Sequence, residues 1–216
     1  NIKFDLKIAP SLMGTVAQLS KDWRGATQRK VFLAASTHKG EDEIILAAFA
    51  EIKAQLESVL LVIVPRHPER FNQVANLCQS AGFSIARRSE DAPVAEADIL
   101  LGDSMGELMA FFGACDLAFV GGSFVPTGGH NMIEAAAWGV PVLTGPHLFN
   151  FTEIANLLTE VGGIKVCRDV DDLASQSVML LQNETQRMLM GEAARQVAVA
   201  NRGALDRLLA LIAQAI

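Results

Sequence analysis

Apolar runs of four to six residues recur along this chain, and after most of them come a polar or glycine-rich loop and apolar residues at helical spacing. Val31, Phe32, Leu33, Ala34 and Ala35 form one such run, 36–40 make a loop, and Ile44, Ala48, Ile52 and Leu56 follow four residues apart. A short apolar run reads as a strand and four-residue spacing as one face of a helix, so the segment reads strand, loop, helix. The unit repeats with a strand at 59–64, the loop Pro65-Arg66-His67-Pro68, and a helix through Val74 and Leu77 that ends near Gly82. Strands are predicted at 83–86 and 98–101, then a helix through Leu108 and Phe112, a strand at 117–120, a glycine-rich loop and a helix over 131–138. A strand at 140–143, a helix at 151–160 and a strand at 164–167 lead into a mostly helical remainder.

Strands apolar on both faces, alternating with helices, belong to a parallel sheet covered on both sides. The expected fold is α/β, a Rossmann-like doubly wound parallel sheet with a helical C-terminal tail. It divides into an N-terminal edge segment (1–30), the Rossmann-like body (31–203) and a C-terminal helix (204–216). Leu205, Leu208, Leu209 and Ile212 give that last helix an apolar stripe, which is expected to pack on the domain's own core.

Composition narrows the function. The 216 residues are half hydrophobic and 19% charged, as in an ordered globular chain. A formal charge of -6 with scattered basic residues disfavours nucleic acid. Cys78, Cys115 and Cys167 lie far apart in apolar segments and read as buried thiols. No apolar run approaches the ~20 residues a membrane span needs, and the start resembles no signal peptide. The opening Asn1 replaces an initiator Met, so the chain is expected to begin inside a longer protein.

In an open parallel sheet, ligands sit beyond the carboxyl ends of the strands. All four histidines, His38, His67, His130 and His147, fall in such loops and are expected to converge on one crevice. Gly121, Gly122 and Ser123, then Gly128, Gly129 and His130, lie between a strand and a helix, where glycine lets backbone N–H groups approach an anion. That loop reads as a phosphate cradle. Glu134, one turn from His130 and Asn131, suits a ribose diol or merely complements the helix dipole. Ser104 and Glu107 stand at capping-box spacing. Arg66, stiffened by Pro65 and Pro68, suits a phosphate clamp or a surface pair with Glu69. Asp169 and Asp171 form a D-x-D, read here as a helix cap and not as a metal site.

Taken in order, Ala35-Ser36-Thr37-His38, Pro65-Arg66-His67-Pro68-Glu69-Arg70-Phe71, Gly102-Asp103-Ser104-Met105-Gly106-Glu107-Leu108, Phe119-Val120-Gly121-Gly122-Ser123, Gly128-Gly129-His130-Asn131 and Gly145-Pro146-His147-Leu148-Phe149-Asn150-Phe151 resemble the 3-deoxy-D-manno-octulosonic acid (Kdo) transferase family over the whole chain. The resemblance implies a GT-B glycosyltransferase, two Rossmann-like domains facing a cleft, of which this is the donor-binding one. It implies that Pro65, Arg66, Met105, Gly106, Glu107, Asn131, Met132, Ile133 and Glu134 contact the CMP part of CMP-Kdo. His38, His67, Ser104, Gly121, Gly122, Ser123, Gly129 and His130 are expected near the phosphate or sugar. The family usually has Asn-Pro-Leu-Glu where this chain has Asn131-Met132-Ile133-Glu134, so a first-turn proline is absent.

The general base of the family is a glutamate in the N-terminal domain, near a membrane anchor and the lipid A precursor site. This chain therefore carries no expected catalytic residue, metal or cofactor. The implied reaction is an inverting transfer of Kdo to a lipid A precursor in lipopolysaccharide synthesis, at the cytoplasmic face of the inner membrane, with this half inactive alone. A UDP-sugar glycosyltransferase or epimerase, or a non-catalytic nucleotide-binding module, are the alternatives that donor choice separates.

Overall fold

Strand β1 (Lys30–Thr37) shows why the sheet is buried on both faces. Val31, Leu33 and Ala35 enter one core while Phe32 and Ala34 enter the other, and all five are buried. The computed structural model describes residue 6, residues 8–91 and residues 93–201. Around β1 the chain adds α1 (Leu12–Arg24), α2 (Glu41–Gln55), β2 (Val59–Pro65), a 3-10 turn (Pro68–Arg70), α3 (Phe71–Ser80), β3 (Ile85–Arg87), a second 3-10 turn (Arg88–Glu90) and β4 (Ile99–Leu101). It continues through α4 (Leu108–Ala114), β5 (Leu117–Val120), α5 (Ile133–Ala137), β6 (Val142–Thr144), α6 (Thr152–Glu160), β7 (Ile164–Val166), α7 (Val170–Gln182) and α8 (Glu184–Ala200).

The seven strands pair in parallel in the order β3-β4-β2-β1-β5-β6-β7. One face is covered by α1, α4, α5, α6 and α8, the other by α2, α3 and α7. The expected doubly wound α/β sheet is present. Burying a Phe, Leu or Ile side chain stabilises by roughly 1.5–3 kcal/mol. These two cores, and not local capping, hold most of the helices: among the described helices only α7 and α8 have side-chain N-caps, from Asp169 and Asn183.

Several boundaries differ from the sequence reading. The edge segment 1–30 contains α1, which belongs to the domain's own core: Trp23 is buried and meets the Phe111 ring at 5.3 Å. The predicted strand at 83–86 starts at Ile85, because Phe83 still belongs to the turn that ends α3, its N–H donating to the Cys78 carbonyl at 3.2 Å. The helix predicted over 131–138 shortens to α5, since an Asx turn occupies its first residues: Ile133 N–H donates to Asn131 Oδ1 at 3.1 Å. The stripe through Leu205, Leu208, Leu209 and Ile212 lies outside the described residues. No helix among the described residues is long and apolar enough to cross a membrane.

Candidate functional site

Strand order reverses at β1: on one side the chain places β2 next to β1, then the edge strand β3, then β4 between β2 and β3, and it returns to place β5 on the other flank of β1. The loops after β1 and β5 therefore part at the carboxyl edge and leave a crevice. Two buried carboxylates fix that edge. Asp42 accepts from Thr37 Oγ1 at 2.7 Å and pairs with Arg70, whose Nη1 donates to the Thr37 carbonyl at 2.9 Å. Burial pushes the Asp42 carboxyl up, against the pull of Thr37 and Arg70.

The fully buried Glu41 carboxylate accepts backbone N–H groups from both loops: His38 at 2.9 Å, Gly122 at 2.6 Å, Ser123 at 2.9 Å and Phe124 at 2.9 Å. This corrects the phosphate-cradle expectation for Gly121, Gly122 and Ser123. The anion-binding nest exists, and its anion is the protein's own side chain. Gly121 N–H is engaged as well, donating to the Ala35 carbonyl at 2.8 Å. Its glycine serves close approach, because a Cβ there would stand 2.6 Å from the Ser36 carbonyl oxygen. Ser36 itself sits at φ 56°, in the left-handed region unusual for a side-chain-bearing residue, where the β1–β2 register shifts between Ala35 and Thr37.

Beyond the nest a cavity of about 270 Å³ opens, lined by Ser36, Arg66, His130, Asn131, Glu134 and Phe151 among others. Arg66 is exposed and makes no ion pair among the described residues; it is His67 that approaches Glu69, at 3.9 Å. The surface-pair reading of Arg66 is thus set aside. Its backbone is fixed from behind, the N–H donating to the Thr37 carbonyl at 3.0 Å. Glu134 is half-buried beside Asn131 Nδ2 at 3.3 Å. Burial raises its carboxyl above the usual range, while Asn131 and Arg66 pull it back.

Three of the four histidines cluster beside this cavity, and His130 lines it. His38 Nε2 lies 2.7 Å from His130 Nε2 with the ring planes 15° apart, and the His67 ring stands edge-on to His38 at 5.4 Å. Desolvation, then His38, Arg66 and His67, push His130 down to about 4; desolvation also lowers His38. His147 does not join them, which corrects the four-histidine expectation. It lines a separate cavity of about 590 Å³ with Phe149, Thr152 and Val166.

The Ser104–Glu107 capping box does not form. Helix α4 starts only at Leu108, and the Glu107 carboxylate is held by Arg88 Nη2 at 2.8 Å and by the Ser104 hydroxyl. The Arg88 bonds are the main cause of its lowered carboxyl. Gly106 takes φ 82° and leaves Met105 70% exposed, so this loop offers a ligand an apolar side chain and backbone. Met132 and Ile133 are fully buried in the core and could touch a ligand only through their backbone. Asp169 caps α7, accepting from Asp172 N–H at 2.9 Å, as the cap reading expects.

Sequence reasoning missed Glu41, Asp42 and Arg70. Gly40-Glu41-Asp42-Glu43 looks like ordinary acidic decoration of a helix start, and only the pairing of β1 with β5 shows what the first carboxylate reaches.

A parallel sheet with a cation, an amide and a carboxylate gathered at its switch point is the donor-domain design of GT-B glycosyltransferases. The chain belongs to the glycosyl transferases group 1, whose family model matches residues 31–197. Within that class it is homologous to the 3-deoxy-D-manno-octulosonic acid transferases: it is 45% identical over 98% of its length to that of Haemophilus influenzae and 37% identical over 97% to that of Bordetella pertussis. It covers 50% and 49% of those proteins, so the chain spans about half the length of the curated relatives it matches. The C-terminal CMP-Kdo binding domain of WaaA from Acinetobacter baumannii superposes with TM-score 0.82 at 31% identity, over 88% of this chain and 98% of that one.

Proposed function

We propose that this chain is the CMP-Kdo-holding half of a Kdo transferase, which passes Kdo with inversion to a lipid A precursor when joined to an N-terminal half that supplies the general base and the membrane contact. The observation that carries the reading is the convergence of Arg66, Asn131 and Glu134 on one cavity, in a chain similar along its length to a CMP-Kdo binding domain. Arg66 meets the phosphate, Glu134 accepts from the ribose hydroxyls, and the backbone of 105–107 and of Met132 and Ile133 borders the base. Ser104 and Gly129 act behind the site: Ser104 holds Glu107, and Gly129 N–H donates to the Gly122 carbonyl at 2.7 Å, which sets the loop that presents His130. No metal enters this scheme, since charge on the departing phosphate is met by side chains.

Calorimetry with CMP, UDP and NAD tests it. CMP is expected to bind most tightly and to bind equally well in EDTA; preference for UDP would move the reading to a UDP-sugar enzyme. Supplied with CMP-Kdo and a lipid A precursor, the chain alone is expected to show no transfer, because a missing general base typically costs ~10²–10⁴ in rate. Turnover should return when the separately made N-terminal half is added.

A further inference from the structure

Because Glu41 fills the backbone nest, the N–H groups of His38, Gly122, Ser123 and Phe124 are not open to a bound phosphate, and two side-chain features of the cleft are available to meet its charge: the exposed Arg66 and the histidine pair behind it. Resting on the reading that the cleft holds CMP, we propose that His38 and His130 act as one group, a pair that takes up a single proton when a phosphate enters and so becomes a cationic clamp beside Arg66.

The geometry defines the step. At 2.7 Å the two Nε2 atoms must share a proton, so one ring donates Nε2–H and the other accepts with its Nε2 lone pair. The donating ring then has an open Nδ1. A proton from solvent bonds to that Nδ1, no other bond changes, and the pair gains one positive charge with its Nε2–H···Nε2 bond intact. A second proton would set two N–H donors against each other at this distance, so the pair loads one.

The surroundings keep the pair neutral while the cleft is empty. His38 faces Glu41, which favours its charged form, and His67, Arg70 and Arg66, which oppose it. His130 faces His38, Arg66 and His67, all of which oppose its charge, and Glu134 lines the same cavity from α5. Burial disfavours both charged forms. An incoming phosphate reverses the balance, since an opposite charge within ~4–6 Å shifts a titrating group toward its charged form by 1–3 units. In transfer, the same cation would stand beside the departing CMP phosphate.

The test is calorimetry of CMP binding near pH 6.5 in two buffers of different protonation heat, which counts protons taken up per CMP. His38→Asn and His130→Asn variants are measured alongside the unaltered chain. The phosphate of CMP titrates near pH 6 itself, but equally for all three proteins. The unaltered chain is expected to take up about half a proton to one proton more than either variant, and its affinity should rise about three- to tenfold more between pH 8 and 6. Cytidine, which lacks the phosphate, should give no difference. Equal uptake by folded variants, or a difference that persists with cytidine, overturns the proposal while leaving the CMP reading standing. Failure of the unaltered chain to bind CMP sinks both. Should the variants not fold, uptake by the unaltered chain decides, and it must exceed what the phosphate of CMP alone accounts for.

Discussion

The loop between β5 and α5 contains two glycine pairs of similar appearance that do opposite things. Gly121 and Gly122 lead into a nest closed on Glu41, so their N–H groups are committed inside the fold. Gly128 and Gly129, at φ 93° and 78°, instead let the chain pass close under Asn150 and Leu148 and emerge with His130 and Asn131 facing the cavity. One pair makes the edge rigid and the other presents side chains. A glycine-rich strand-to-helix loop is therefore not by itself a phosphate site; the occupant of each nest has to be found first.

The sharpest way to break this contrast is Glu41→Gln. The amide keeps one acceptor and turns a donor toward N–H groups, so at least one of the four loses its partner inside the fold. A destabilisation of about 2–4 kcal/mol is expected, seen as a lower urea midpoint at unchanged slope. CMP binding should weaken with it as the loops slacken. An unchanged midpoint with tighter CMP binding would mean the nest belongs to the ligand after all.

Arg66→Ala probes the open side. Its charge-assisted bond to phosphate is worth roughly 1.5–3 kcal/mol, or about tenfold to a hundredfold in CMP affinity. The melting temperature should hold, because the side chain is exposed and no ion pair among the described residues depends on it. A collapsed melting transition would make Arg66 structural and merge the two regions into one.

The sheet was legible because its signal is local: unbroken apolar strands and four-residue spacings do not need the rest of the fold. The membership of the cavity was partly legible for the same reason, as Arg66 directly follows β2 while His130, Asn131 and Glu134 stand at the end of the β5–α5 loop and in the first turn of α5. What escaped was whatever depends on pairing at a distance. Glu41 reaches Gly122 across 81 positions, Arg88 takes Glu107 from the cap that spacing suggests, and His147 is drawn into another cavity by the strand next door. Period alone also cannot show α1, whose role depends on Trp23 finding Phe111.

The smallest effect concerns stability in acid and separates the histidine pair from the carboxylates around it. His130 is pushed down to about 4 in the fold, against 6.5 for a free histidine. Below 6.5 the unfolded chain binds a proton the folded one refuses, so stability falls as pH drops from 6.5 toward 4 and is unaffected above that window. Because the ring is only partly buried, the loss should be on the order of 1–2 kcal/mol and not the full linkage value. Asp98, Asp103 and Glu107, all held below their ordinary range, lose their contributions as pH falls further, and they do so in any variant that keeps them. His130→Asn should therefore give a flatter stability curve between pH 6.5 and 4, with the two curves running parallel below it. Curves that are parallel throughout would mean that His130 takes up its proton in the empty fold as readily as in the unfolded chain. Saturating CMP should erase the difference from the other side, since a pair already loaded by phosphate no longer refuses the proton.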